Sequence, residues 1–175
     1  MTTRFQVYDK TDFAEVSALW ARINRELAPP DMREQFEQYI QNSINDELAQ
    51  ADKVYPQSEG SALWVVKQAD KIIGTFGAQR VTDTDIELRR MYLDSQYRKQ
   101  GLSRKMLTHA EEHARQQGFH RMILSTAELQ AAAVKFYNKS GYDLTKIETA
   151  GAMSNKTVGN NVRRRHYQKT LNPAD

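Results

Sequence analysis

Between Leu63 and Leu93 three apolar runs are separated by nothing longer than Gln68-Ala69-Asp70 and Thr82-Asp83-Thr84-Asp85. The runs are Leu63-Trp64-Val65-Val66, Ile72 to Val81 and Ile86 to Leu93. Polar turns this short join neighbouring strands only in antiparallel sense, so the spacing predicts an antiparallel meander. Upstream, Phe5-Gln6-Val7-Tyr8 alternates as a short strand. Phe13, Val16, Trp20, Ile23 and Leu27 then recur at helical spacing behind N-cap candidates at Asp9 to Asp12. Pro29-Pro30 stops that helix. A second, more polar helix carries Met32, Phe36, Tyr39, Ile40 and Ile44 as its buried stripe, and Asp52 to Gly60 reads as loop.

After the meander the rhythm changes. A helix runs from about Gly101 to Gln117, a strand covers Met122-Ile123-Leu124-Ser125, a helix covers about Leu129 to Lys139, and a last strand lies near His166 to Leu171. Glu148 to Asn161 is rich in Gly, Asn, Ser and Thr and reads as a long mobile connection. Residues 1–175 hold no repeat, low-complexity tract or second domain, and suffice for one buried core.

Charge and composition exclude more than they select. A net charge of +3 tolerates an anionic ligand without requiring nucleic acid. The absence of cysteine removes disulfides, zinc-thiolate sites and thiol catalysis, and fits a reducing cytosol. Met1-Thr2-Thr3-Arg4 leads straight into the first strand, so no secretory signal is expected, and no apolar run approaches the ~20 residues that span a bilayer. These features predict a cytoplasmic protein with neither membrane nor nucleic acid as partner.

Tyr97-Arg98-Lys99-Gln100-Gly101-Leu102-Ser103-Arg104-Lys105-Met106-Leu107 is the most unusual stretch. Leu102, Met106, Ala110 and Ala114 fall on one helical face, so a helix starts at Gln100-Gly101. Free N–H groups and the positive end of the macrodipole make such a terminus attractive to phosphate. Arg98, Lys99, Arg104 and Lys105 add charge, Ser103 adds a hydroxyl, and Gly101 lets a ligand come close to the backbone. A diphosphate fits this better than a lone phosphate. From these residues alone, a solvated basic helix start is an equal alternative.

Arg98 to Ser103, after a strand ending Met91-Tyr92-Leu93, resembles the acetyl-CoA signature Q/R-x-x-G-x-G/A of the GNAT superfamily of N-acetyltransferases. Gln130 to Tyr142 continues the likeness, following N-x-x-A-x-x-F/L-Y-x-x-x-G-F/Y through Ala133, Phe136, Tyr137, Gly141 and Tyr142. Tyr167-Gln168-Lys169-Thr170-Leu171 looks like that family's closing strand. Two positions depart from the pattern: Ser103 stands for Gly or Ala, and Gln130 for Asn.

The resemblance implies an α/β, three-layer α-β-α fold with a central mixed, mostly antiparallel sheet. Its order is strand, two helices, three strands, helix, strand, helix, two strands. It implies acetyl-CoA as cosubstrate, no metal, and a diphosphate held on Arg98, Lys99, Gln100, Gly101, Leu102 and Ser103 with Arg104 adjacent. The pantetheine arm would run along Met91, Tyr92 and Leu93, near Gln130, Ala133 and Phe136. A backbone N–H near Met91 would hold the oxyanion, Tyr137 would protonate the leaving thiolate, and Glu87, fourteen residues before Gly101, would act as base through water. Read as residues alone, Tyr137 also suits a helix core, and Glu87 also suits pairing with Arg89 or Arg90.

The implied activity is transfer of acetyl from acetyl-CoA to a primary amine of a small molecule by direct attack in a ternary complex. Alternatives are a protein or peptide N-acetyltransferase and a non-catalytic acyl-CoA-binding regulatory module. The resemblance places acceptor choice in Arg22 to Tyr55 and Glu148 to Asn161, and admits a homodimer. Glu26, Asp31, Glu34 and Glu37 would suit a cationic amine, as they would a plain polar helix face. Tyr39, Trp64 and Tyr92 border the acceptor pocket or pack the core.

Two motifs are set aside. His109-Ala110-Glu111-Glu112-His113 fits H-x-x-E-H, but no third metal ligand follows, and a solvated helix face explains it. Arg163-Arg164-Arg165-His166 reads as a basic strand start rather than a nucleic-acid patch.

Overall fold

The computed structural model describes residues 2–154 and 156–172. A seven-stranded sheet is built from β1 (Thr3–Val7), β2 (Ala62–Gln68), β3 (Lys71–Arg80), β4 (Asp85–Leu93), β5 (Arg121–Ala127), β6 (Asp143–Ala150) and β7 (Val162–Thr170). The helices are α1 (Phe13–Leu27), α2 (Arg33–Asp46), α3 (Ala51–Val54), α4 (Leu102–Gln116) and α5 (Ala131–Lys139). Spatial strand order is β1-β2-β3-β4-β5-β7-β6, and every neighbouring pair is antiparallel except β4 with β5, which the crossover through α4 makes parallel.

Alternation along β2 explains the layering. Leu63 and Val65 point to one face and pack on Val16, Leu19, Trp20 and Ile23 of α1. Trp64 and Val66 point to the other and join Phe76, Ile86, Met106 and Ala110 beneath α4. Strands covered on both faces read as unbroken apolar runs, which is how the meander announces itself. Trp20 and Ile23 are almost fully buried, and each such side chain contributes about 1.5–3 kcal/mol of transfer free energy. Asp9 starts the one-turn segment before α1 by accepting from Thr11 N–H, while its own N–H donates to Asp12.

Four sequence expectations need correction. The segment read as loop from Asp52 contains α3, because Leu48, Ala51 and Tyr55 are buried against α1 and β2. Strand β6 continues through Ala150 and β7 starts at Val162. Both are polar strands held by their ladder and by cross-strand pairs such as His166 with Glu148 at 2.6 Å, so no hydrophobic pattern reveals them. The connection between them is anchored: Val158 and Val162 are buried with Met32 and Phe36, and Ser154 N–H donates to Thr157 O at 2.9 Å. His109 and His113 do not form a solvated face. They pack edge-on against Trp64 with centroids 5.2 and 4.9 Å away, and His113 Nε2 lies 2.9 Å from Gly60 O. Among the described residues no three His, Asp or Glu side chains group to hold a metal, and no helix is long and apolar enough to cross a membrane.

Candidate active site

Strands β4 and β5 pair only over Asp85–Glu87 and Arg121–Ile123, although β4 runs on to Leu93 and β5 to Ala127. Beyond Glu87 they part. The gap is a cleft open to solvent, lined by Glu87, Arg89, Arg90, Met91, Tyr92, Ser125, Gln130, Tyr137 and Arg164 among others. The facing main-chain edges of β4 and β5 are left without strand partners, as an added extended chain requires.

A bulge in β4 gives this cleft two dissimilar sides. Thr75 pairs with Tyr92 and Gly77 with Arg89, so Arg90 and Met91 together oppose Phe76 alone. Arg90 occupies the left-handed region at φ 51°. A one-residue insertion reverses which face the following side chains meet. Ile86 and Leu88 lie on the α4 face, and after the bulge it is Met91 and Leu93 that lie there, while Tyr92 turns toward α1. Arg89 and Arg90 thereby reach one acceptor, Glu47, at 2.7 and 2.5 Å. Thr75 pins the bulge: its hydroxyl donates to Arg90 O at 2.9 Å and accepts from Trp20 Nε1 at 2.9 Å.

On the α4/α5 side, Tyr137 is 8% exposed, and its hydroxyl donates to Met91 Sδ at 3.6 Å. Burial, reinforced by Tyr92, pushes its phenol well above the usual value, so it is protonated at neutral pH. Gln130, at the start of α5, accepts from Thr126 Oγ1 at 3.0 Å. Ala133 and Phe136 of the same helix pack on the core beside Met91.

On the α1/α2 side, Glu87 accepts from Lys156 Nζ at 2.9 Å. The connection before β7 delivers this lysine, and Val158 fixes that connection against α2. Arg164 Nη2 donates to Ser125 Oγ at 2.9 Å. Tyr39 of α2 accepts from Arg90 Nη1 at 2.8 Å. Burial opposes ionisation of Tyr39, but the Arg90 guanidinium outweighs it and holds the phenol below its ordinary value. Tyr92, whose phenol burial pushes up to about 12, completes this side. Trp64 lies away from the cleft, in the core under α4.

The Arg98–Arg104 loop lies at the C-terminal end of β4. Asp94 caps the turn that precedes it by accepting from Gln96 N–H, and it pairs with Arg22 of α1 at 2.7 Å. Arg98 Nε donates to Leu93 O at 2.9 Å, so this side chain ties the loop to the strand. Lys99 and Gly101 both sit at positive φ, 62° and 79°. Gly101 caps α4 with backbone alone, no side chain satisfying the first turn, and among the described residues no atom beyond its two chain neighbours lies within 4 Å of where a Cβ on Gly101 would stand. The first N–H groups of α4 and the exposed Lys99 and Arg104 thus suit a diphosphate.

Several site residues escape sequence reasoning. Glu47, 0% exposed, also accepts from the Tyr55 hydroxyl and so ties the chain on both sides of α3 to the bulge. Gly77 makes room: a Cβ there would stand 2.8 Å from Tyr55 Cε1. Arg164 is hidden within a run of basic residues whose other members pair elsewhere, Arg163 and Arg165 with Glu128 at 3.3 and 2.8 Å. The acidic residues expected to draw a cationic amine do not line the cleft. Glu26, Asp31 and Glu34 are exposed, and Glu37 pairs with Arg25 at 2.5 Å.

The profile of the acetyltransferase (GNAT) family matches residues 19–142. The camello protein of Xenopus tropicalis is 33% identical over 107 residues, 60% of this chain and 49% of that protein. N-acetyltransferase 8 of Rattus norvegicus is 31% identical over 112 residues, 61% and 50% respectively. The chain spans about half the length of the curated relatives it matches. The PaiA N-acetyltransferase of Thermoplasma acidophilum, solved in complex with coenzyme A, superposes with a TM-score of 0.76 at 16% identity, over 97% of this chain and 99% of that one. At this identity the likeness is one of fold.

Proposed function

The chain belongs to the acetyltransferase (GNAT) family, and on that premise we propose that it is an acyltransferase that moves an acetyl group from acetyl-CoA to a primary amine of a small molecule. The observation that carries this reading is the splay of β4 from β5 beyond Glu87, which brings Tyr137 and the bulged Met91 to one side of a single cleft and Glu87 to the other. The coenzyme-A complex of the PaiA fold relative supports the choice of acyl carrier.

The residues present fit that carrier. The uncapped start of α4 with Lys99 and Arg104 would hold the diphosphate, and the unpaired edge of β4 at Met91 to Leu93 would hold the pantetheine arm, with Gln130, Ala133 and Phe136 beside it. Direct attack in a ternary complex forms the bond from amine nitrogen to acyl carbon and breaks the carbon–sulfur bond. Glu87 takes the proton lost by the amine, directly or through water, and Tyr137 gives its proton to the departing sulfur. The backbone N–H of Met91, set by the bulge, faces the carbonyl oxygen as it gains charge. A phenol raised by burial holds its proton at neutral pH, which is the state a proton donor needs before the sulfur departs.

The test is release of free thiol from acetyl-CoA across a panel of amines and peptides, with calorimetry on coenzyme A alongside. Saturable thiol release that requires an amine bears the reading out. Binding of coenzyme A without turnover on any acceptor would leave a carrier-binding module, and no binding at low ionic strength would remove the carrier altogether.

A further inference from the structure

Charge on the acceptor side of the cleft is unbalanced. Glu47 pairs with both Arg89 and Arg90, and Glu87 is matched by Lys156. Arg164 faces the cleft and, among the described residues, has no carboxylate within ion-pair reach. Its hydrogen bond is to the Ser125 hydroxyl. A part-buried guanidinium offered one neutral oxygen is under-served, since its planar fork is built for two carboxylate oxygens. Lys156 meanwhile sits on the group that the acyl-transfer reading needs free. Both facts are met by the same ligand.

We propose that the acceptor is an amine with a carboxylate on the neighbouring carbon, that Arg164 and Lys156 grip this carboxylate, and that Lys156 in moving to it releases Glu87 to take the amine proton. This rests on the acyl-transfer reading above and names its substrate class. A zwitterion of this kind presents its ammonium group to Glu87 and its carboxylate to Arg164, so each charge of the ligand finds the opposite charge in the cleft. Such an arrangement discriminates strongly, because an acceptor lacking the carboxylate leaves Arg164 desolvated without a partner and leaves Glu87 held by Lys156. The anchoring of Val158 against Met32 and Phe36 holds the connection that brings Lys156 to the cleft. A peptide N-terminus has no free carboxylate beside its amine and is rejected on the same ground.

The experiment measures thiol release with free α-amino acids, each against its decarboxylated amine (phenylalanine with phenethylamine, lysine with cadaverine, methionine with 3-methylthiopropylamine), and with short peptides. The favoured amino acid should exceed its decarboxylated twin in kcat/KM by at least ~10-fold, the discrimination expected of one charge-assisted pair. Arg164→Gln should bring that ratio toward one, while Arg164→Lys retains part of it. Lys156→Gln should lower turnover of the amino acid and raise turnover of the decarboxylated amine several-fold, because Glu87 is then unoccupied. Calorimetry with coenzyme A reports whether each variant is folded. Turnover confined to amines or peptides without the carboxylate overturns this proposal and leaves acyl transfer standing. A ratio unmoved by Arg164→Gln, or a Lys156→Gln variant slowed equally on both substrates, also overturns it. No thiol from any acceptor overturns both readings.

Discussion

Tyr137 illustrates what a single residue reveals and what it hides. Its neighbours in sequence mark it, and the structure shows a hydroxyl whose partner is a thioether at 3.6 Å. A thioether is a weak acceptor and leaves this hydroxyl free to turn to a ligand, whereas Tyr142 donates to the buried Glu111 carboxylate at 3.0 Å. Tyr137→Phe should therefore lower kcat by about 10²-fold with little change in the affinity for coenzyme A, as read by calorimetry. The parent's kcat should also hold on the alkaline side, since a phenol raised by burial stays protonated where an ordinary one, near ~10, begins to ionise. Unimpaired turnover by the phenylalanine variant would strip Tyr137 of the proton-donor role. Arg164 teaches the opposite lesson. Three consecutive arginines are indistinguishable in sequence, and only the register of β7 on β5, which pairs Arg164 with Ala127, decides that the middle one meets the cleft. No hydrophobic pattern fixes that register, so it could not be read in advance.

Elements were legible where burial writes a period. The meander, α1 and α4 carry apolar residues at strand or helix spacing, and they stand within a few residues of expectation. The bulge in β4 was not legible, because Leu88-Arg89-Arg90-Met91 alternates imperfectly and nothing local marks Arg90 for a left-handed backbone. What holds it there is tertiary: the Thr75 hydroxyl bonds on one side to Arg90 O and on the other to Trp20 Nε1. Thr75→Val keeps the shape of the side chain and removes both bonds. With Thr75 fully buried, the carbonyl and the indole N–H are each left without that partner, and the loss should reach about 2–4 kcal/mol by urea denaturation. If the bulge sets the Met91 N–H toward the acyl oxygen, kcat should fall as well while the affinity for coenzyme A holds, because the diphosphate loop is fixed separately by Asp94 and Arg98. A variant that loses stability but keeps its full kcat would show that the bulge is structural alone.

At the scale of the whole molecule, Glu47 joins parts that are far apart in sequence. It follows α2, accepts from Tyr55 beyond α3, and binds Arg89 and Arg90 forty-two and forty-three residues further on. Such a junction is invisible to pattern reading, since a lone glutamate after a polar helix looks like surface. Burial works against ionisation of Glu47, yet Arg90 and Arg89 prevail and hold its carboxyl below the usual carboxylate range. A depressed folded-state pKa means that this group stabilises the fold above its unfolded value of about 4.3, and that the contribution is lost as pH falls through the folded value. Glu47→Gln removes the charge and strands two buried guanidinium groups, which should destabilise the protein by about 3–5 kcal/mol at pH 7. Other acids lose stabilising charge in the same range, Asp85 beside Arg121 among them, so the decline of the parent alone proves nothing. The informative quantity is the gap between parent and variant in urea denaturation, which should be widest at neutral pH and narrow steadily below about pH 4.3, as the parent's own carboxylate takes up its proton. A gap that stayed constant across that range would mean that the amide disturbs packing rather than charge, and a gap near zero at pH 7 would remove Glu47 as the brace behind the bulge.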